Sequence, residues 1–147
     1  MILDLRDIKR KGKDYIDFFF EYVPEKDFSD ASFLEVATPV LVDGRATLSG
    51  EHSAFIECEV TFKIKGSCTR CLAETEREYG AEIRELCEEN IEDGYPVIHD
   101  RIDLSKMVDD VILMNLPVSF LCKDDCLGLC PNCGENLNHG ECKCKNS

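Results

Sequence analysis

The sequence of 147 residues contains no tryptophan and no long apolar run. Its longest apolar stretches last only a few residues, whereas a membrane-spanning helix requires about 20. The first thirteen residues mix acidic and basic side chains and lack the apolar segment of a secretory signal peptide. These absences argue against a membrane protein and against a secreted protein, so we expect a cytoplasmic protein.

Motifs of catalysis are also missing. The three histidines, His52, His99 and His139, have no catalytic motif around them. We find no phosphate-binding loop, no dinucleotide-binding fingerprint and no nucleophile elbow. Carboxylates are so abundant in this sequence that a pair of them does not indicate a catalytic site. The sequence therefore predicts a protein that is not an enzyme and has no small-molecule substrate.

Positive charge is scarce, since 17 lysines and arginines face 30 acidic residues and leave a net charge of −13. Residues 72–110 alone contain thirteen acidic and four basic side chains. The one basic patch, residues 6–13, is expected in a solvated turn. The acidic surface that remains repels nucleic-acid backbones and attracts basic proteins. An acidic face that only aids solubility is the plainer alternative.

The sequence patterns present predict a mainly β structure up to about residue 100. Residues 15–23 and 36–42 are rich in aromatic and β-branched side chains, and Asp43-Gly44 predicts a hairpin turn into residues 45–50. Residues 56–64 alternate between apolar and polar side chains, which indicates a strand that buries one face and carries Cys58 in the core. Residues 75–86 indicate the returning strand, although a helical spacing also fits them. Residues 95–98 indicate a further short strand.

The main helix is predicted at about residues 103–115, with Asp103 as its N-cap and Pro117 beyond its end. Its apolar face contains Leu104, Met107, Val108, Val111 and Ile112. The predicted fold class is therefore α+β, with an antiparallel, partly barrel-like sheet, one main helix and a C-terminal zinc-binding appendage. We expect residues 1–117 to form the α+β domain and residues 118–147 to form a cysteine-rich tail packed on it, so that the two make a single structural unit.

Ten cysteines are present, and eight of them lie in close pairs. In a reducing cytosol, closely spaced cysteines bind metal or perform redox chemistry more often than they form disulfides. The last thirty residues are poor in apolar side chains, so we expect them to need a metal ion to fold. The two remaining cysteines, Cys58 and Cys87, have no close partner in the sequence and are predicted to be structural.

The first predicted zinc site consists of Cys130, Cys133, Cys142 and Cys144. The segment from Cys130 to Cys133 resembles a zinc knuckle, because a glycine with access to positive φ follows its second cysteine. Two close cysteine pairs joined by a short loop supply the four soft ligands of structural zinc. An iron–sulfur cluster, free thiols and a disulfide pair are the alternatives, and His139 in the loop could replace Cys142 or Cys144 as a ligand.

The second predicted zinc site combines Cys68 and Cys71 with Cys122 and Cys126, and it would attach the tail to the β domain. Its alternative is that Cys68 and Cys71 form a redox pair and Cys122 is a core residue, because spacing does not reveal long-range pairing. We therefore expect one zinc ion, or two if this set also binds. Four-ligand sites leave no position for water, so neither supports Lewis-acid catalysis.

The sequence also resembles a known family. The run Cys68-Thr69-Arg70-Cys71-Leu72 resembles the Cys-x-Arg-Cys motif of the YceD family, the large ribosomal RNA subunit accumulation proteins. Residues 102–117 are similar to the central helix of that family, and residues 126–138 match the cysteine-rich ending of its many-cysteine members. In organisation the resemblance begins at about residue 36, and in motif it covers residues 68–144.

The resemblance implies a role in 23S rRNA accumulation and in biogenesis of the large ribosomal subunit. In many bacteria, members of the family are encoded beside a small protein of that subunit. Together with the acidic charge, this favours a basic large-subunit ribosomal protein or a pre-ribosomal particle as the partner, and no membrane. Direct contact of rRNA with Arg70 and the zinc knuckles is the second form of this hypothesis, and a solvent-facing turn residue is the plainer role for Arg70.

A rival hypothesis from another class is a redox-regulated, zinc-dependent chaperone. Holdases of that type release zinc from a Cys-x-Cys plus Cys-x2-Cys site when they are oxidised. Cys142 with Cys144 and Cys130 with Cys133 supply the same ligand types in reversed order. A transcription-linked zinc ribbon is disfavoured, because the sequence lacks an extended basic surface.

Overall fold

Six strands and two helices make up most of the chain in the computed structural model, which describes residues 1–24, 34–142 and 144. The elements are β1 (Ile2–Asp4), α1 (Leu5–Arg10), β2 (Tyr15–Tyr22), β3 (Glu35–Gly50), β4 (Ser53–Ser67), β5 (Glu74–Cys87), β6 (Arg101–Asp103), α2 (Leu104–Met114) and a 3₁₀ turn (Leu137–His139). The α+β class predicted from the sequence is confirmed. No helix within the described ranges is long and apolar enough to cross a membrane.

The main sheet is an open antiparallel meander in the order β2-β3-β4-β5, and β1 pairs with β6 in a separate two-stranded sheet. Within the described residues, β2 and β5 each pair on one side only, so the expected partly barrel-like form is not supported. The reason lies in helix α2, whose buried side chains belong to the same core as those of β4. Because the helix covers the apolar face, the sheet does not need to close on itself.

Strand β4 is the centre of the core. Ile56, Val60, Phe62 and Ile64 are at most 1% exposed, and Cys58 on the same face is 8% exposed. The predicted alternation is therefore confirmed, as is the assignment of Cys58 to the core. Strand β5 pairs with β4 along fourteen positions, so residues 75–86 form the returning strand and not a helix.

The hairpin turn predicted at Asp43-Gly44 is wrong. Strand β3 runs straight through both residues, and the chain reverses near residues 51–52. Gly44 pairs with Cys58 of β4, and a Cβ added to Gly44 would lie 2.2 Å from the Cβ of Cys58. The glycine therefore serves a close approach between two strands and not a turn.

Two shorter predictions also differ from the structure. Residues 6–13 do not form only a turn, because helix α1 begins at Leu5 and is capped by the Asp4 side chain, which accepts a hydrogen bond from the Arg6 backbone N–H. Residues 95–98 are not a strand, since only Ile98 forms a bridge, with Arg101. The main helix is confirmed with Asp103 as its N-cap.

Candidate metal centres

The structure brings together the four sulfurs of Cys68, Cys71, Cys122 and Cys126, which we call the inner site. All four Sγ atoms lie within 4.8 Å of one another. The Sγ atoms of Cys68 and Cys126 are 3.7 Å apart, and those of Cys71 and Cys122 are 3.6 Å apart. A tetrahedral zinc ion with Zn–S bonds of about 2.3 Å separates its sulfurs by about 3.8 Å. A disulfide would bring two sulfurs to about 2.05 Å, so the geometry fits a single tetrahedral ion.

The first half of the inner site is formed by the turn between β4 and β5. The backbone N–H of Cys68 donates to the carbonyl of Ala73, and that of Leu72 donates to the carbonyl of Cys68, both at 2.9 Å. Leu72 has a φ of 64°, in the left-handed region that L residues rarely adopt. This tight turn directs both thiols of the Cys-x-Arg-Cys segment to the same point.

The second half is supplied by the tail, which packs into the main core and bonds to the turn between β4 and β5. Phe120 is only 1% exposed and belongs to the main core. Its carbonyl accepts a hydrogen bond of 2.7 Å from the backbone N–H of Thr69. The Arg70 guanidinium donates to the carbonyl of Cys126 at 3.0 Å, so this side chain holds the tail against the turn. Cys122 lies beside Cys71 and not in the main core, in contrast to the alternative considered from the sequence.

Cys130, Cys133, Cys142 and Cys144 form a second set, the outer site, and their Sγ atoms also lie within 4.8 Å of one another. Cys130 is buried and Cys133 is exposed. The knuckle has the same turn as the inner site. The Gly134 backbone N–H donates to the carbonyl of Cys130 at 2.9 Å, and Gly134 has a φ of 76°. Here a glycine occupies the left-handed position that Leu72 occupies in the other turn.

Asn138 connects the two sites, although no sequence motif identified it as a functional residue. Its Nδ2 donates to the Sγ of Cys126 at 3.3 Å, and its Oδ1 accepts from the backbone N–H of Leu127 at 2.9 Å. Asn136 orients it by accepting a hydrogen bond of 2.9 Å from the same Nδ2. The two asparagines in an Asn-x-Asn spacing were the available signal, since asparagine side chains commonly bond to nearby backbone groups. His139 lies in neither four-cysteine set.

Backbone hydrogen bonds favour the thiolate form at selected positions. Burial raises the pKa of Cys68, but N–H groups of Cys71, Cys122 and Arg70 outweigh it and bring the pKa down to about 6. The N–H groups of Cys133 and Asn132 likewise lower the pKa of Cys130 to about 6.

The pKa shifts of Cys122 and Cys126 in the inner site have opposite directions. The pKa of Cys122 rises to about 12 because the thiol is desolvated and then because it shares a hydrogen bond with Cys71. The pKa of Cys126 is lowered, first by the hydrogen bond from Asn138. Zinc binds cysteine as the thiolate, so a metal ion that binds either set will release the protons that its thiols hold.

The two cysteines outside these sets are core residues. Burial raises the pKa of Cys58 to about 11 and that of Cys87 to about 12, with a further contribution from Glu85 for Cys87. Thiols with such high pKa values are poor nucleophiles and poor metal ligands. Both are less than one-tenth exposed, as expected for structural cysteines.

Comparisons with known proteins agree with these motifs. The family model described as "Large ribosomal RNA subunit accumulation protein YceD" matches residues 56–147. An uncharacterized protein of Mycobacterium tuberculosis is 33% identical over 81 residues, which cover 49% of this chain and 39% of that protein. The chain thus spans well under half the length of the first curated relatives it matches.

Two plant proteins are also similar to this chain. The chloroplastic YCED homolog 1 of Zea mays, named a large ribosomal RNA subunit accumulation protein, is 38% identical over 52 residues, covering 35% of this chain and 18% of the plant protein. The protein of the same name from Arabidopsis thaliana is 34% identical over 50 residues, covering 34% of this chain and 16% of the plant protein. No solved structure matches the chain significantly.

Proposed function

This chain belongs to the YceD family of large ribosomal RNA subunit accumulation proteins, and from that membership we propose that it supports 23S rRNA accumulation and biogenesis of the large ribosomal subunit. One observation carries the proposal. The matched segment, residues 56–147, contains both four-cysteine sets and the turn that joins them to the sheet. The names of the two chloroplastic relatives point to the same role.

In this proposal, each four-cysteine set holds one structural zinc ion and the protein is not an enzyme. The support is the sulfur spacing, together with the small apolar content of the tail. Four thiolates complete the coordination of zinc and leave no position for a substrate. The inner ion would attach the tail, residues 118–147, to the domain formed by residues 1–117, and the outer ion would fold the tail itself.

The proposed partner is a basic large-subunit ribosomal protein or a precursor particle that presents one, in the cytoplasm. The net charge of −13 supports this choice, and each four-thiolate zinc site would add a local charge of about −2. Opposite charges accelerate encounter and like charges suppress it, so a basic protein is favoured over naked rRNA as the first contact. Arg70 also supports a basic protein over rRNA as the first contact, because its guanidinium already donates to the tail.

The redox-regulated chaperone remains the alternative function. The observation that favours it is the exposure of Cys133, which places one sulfur of the outer site where an oxidant can reach it. The inner site is better protected, since three of its four cysteines are buried. Oxidation would therefore begin at the outer site under either hypothesis, and only the gain of a chaperone activity would separate them.

The proposed function can be tested in cells that lack the chain. We expect a lower ratio of 23S to 16S rRNA and an accumulation of incomplete large subunits, both restored by the wild-type chain. After gradient fractionation at low salt, the chain should sediment with large-subunit precursors and should leave them at moderate salt, because exposed charges are screened over about 8 Å at physiological ionic strength. Normal rRNA ratios and a chain confined to the top of the gradient would refute the proposal.

A further inference from the structure

Strand β5 offers an unpaired backbone edge along one side of the main sheet. Its fourteen residues all pair with β4, and no other strand in the described part of the chain pairs with it. An edge strand directs the N–H and C=O groups of every second residue away from its neighbour. The other edge strand, β2, has only eight residues. The longer free row of hydrogen-bonding groups therefore lies on β5.

A cavity of about 340 Å³ lies against this edge. Residues 82–85 of β5 line one side, and Met107, Val111 and Met114 of α2 line the other. Successive side chains of a strand point to opposite faces. A cavity that contacts four successive residues must therefore run along the backbone edge and not over one face of the sheet.

The floor of the cavity is apolar and adaptable. Met114 is 82% exposed, while Val111 is half-buried and Met107 is buried. A methionine with this exposure carries apolar surface that nothing in the described chain covers. Because its side chain is unbranched and polarisable, methionine packs against partners of varied shape. The cavity can thus accept an apolar side chain from an added segment.

The rim of the cavity is negative on both faces of the strand. Strand β5 contains five glutamates and two arginines. Glu82 and Glu85 point to opposite faces, and of these two only Glu82 forms an ion pair, with the Nη2 of Arg84 at 3.7 Å. No lysine or arginine of the described residues forms an ion pair with Glu78 or Glu85. An added strand would therefore meet carboxylates on either side of its backbone.

We propose that an extended, lysine- and arginine-rich segment of a partner protein binds along β5 as a fifth strand. One apolar side chain of the segment occupies the cavity beside Met114, and its basic side chains lie next to Glu78, Glu82 and Glu85. The same glutamates oppose pairing of β5 with the β5 strand of a second copy, because like charges would then face each other. The inference deepens the proposed function, on which it rests for the identity of the basic partner.

The binding mode can be tested on the whole chain with a synthetic peptide of about ten residues, half lysine and half valine, arranged so that both faces of the extended peptide carry lysine. Backbone pairing should slow hydrogen exchange at alternate amides of β5 and shift the NMR signals of the Met107, Val111 and Met114 methyl groups. A matched peptide in which proline replaces valine keeps the charge but removes half of the backbone donors. This peptide should give no protection of β5. Methyl or amide shifts without slowed exchange at β5 would overturn the edge pairing.

Variants of the protein test the side-chain contacts. The exposed substitutions Glu82→Lys and Glu85→Lys, made together, should weaken peptide binding at least about tenfold, or 1.4 kcal/mol. Glu92→Lys with Asp93→Lys makes the same charge change in the loop after β5 and should have a much smaller effect. Met114→Glu is a second variant, and it should also weaken peptide binding. Because Met114 faces the solvent, this change keeps the core intact. Equal losses of peptide affinity from the Glu82/Glu85 pair and from the Glu92/Asp93 pair would overturn the inference.

The failure of this inference and the failure of the proposed function give different results. If the chain sediments with large-subunit precursors but the peptide leaves β5 unprotected, the function stands and the docking mode is wrong. If the peptide protects β5 but the chain never associates with precursors, the docking mode stands and the ribosomal role is wrong. Concentration-dependent dimerisation that the peptide displaces would show that the edge serves a second copy of this chain, which also overturns the proposal.

Discussion

Cys71→Ser should disturb the protein far more than Cys133→Ser, although each removes one thiol from a proposed zinc site. Cys71 belongs to the inner site, which joins segments 51 residues apart in the sequence. The outer site joins Cys133 to Cys142 across only about ten residues. A cross-link limits the freedom of the unfolded chain more when it closes a longer loop.

The loop lengths set the size of the difference. The chain-entropy relation gives about 4 kcal/mol for closing a loop of about 50 residues and about 2.7 kcal/mol for one of about 10. Loss of the inner site also exposes the attachments of the tail, including the hydrogen bond from Thr69 to Phe120. We therefore expect Cys71→Ser to detach the whole tail, and Cys133→Ser to unfold only the part beyond Cys130.

Metal analysis, urea unfolding and limited proteolysis together measure this prediction. The wild type should contain two zinc ions and no iron, and each variant should contain one. Proteolysis of Cys71→Ser should cut before Cys122, whereas proteolysis of Cys133→Ser should cut after it. Cys58→Ser is the matched control, because it should lower core stability and keep both ions. A wild type without zinc, or equal cleavage patterns in the two variants, would refute the reasoning.

Three further predictions concern the sheet, the pH response and oxidation. Gly44→Ala should destabilise the protein by about 3 kcal/mol in urea unfolding, because the new Cβ would overlap Cys58. Asp100 raises the pKa of His52, so this pair should stabilise the fold below about pH 6.5 and lose its contribution as the pH rises through the higher folded pKa. The free energy of unfolding should therefore differ less between pH 5.5 and pH 8 in His52→Gln than in the wild type. Mild peroxide should create no ability to suppress aggregation of a denatured client, and a gain of that ability would favour the chaperone alternative.

Local features of this protein were predictable because they depend on residues close together in the sequence. The alternation of residues 56–64 identifies strand β4, since a strand exposes every second side chain to the same face. Asp103 identifies the start of helix α2, since a carboxylate at that position caps the first turn. The cysteine-rich knuckle of Cys130 and Cys133 was visible for the same reason.

Local patterns were misleading where a distant residue set the conformation. Asp43-Gly44 is a common turn pair, yet the approach of Cys58 from the next strand requires the glycine within β3. The barrel-like expectation for the sheet was not supported because helix α2, late in the chain, covers the apolar face. Neither contact leaves a periodic trace in the sequence.

The sequence by itself determined which cysteines form close pairs, because a spacing of one to three residues directs two thiols to one place. Only the tertiary structure decided that Cys68 and Cys71 meet Cys122 and Cys126, and that Asn138 bonds to the inner site from the loop of the outer one. This long-range pairing depends on the burial of Phe120 in the main core. Packing free energy of that kind depends on the whole surrounding core, so cysteine spacing carries no record of it.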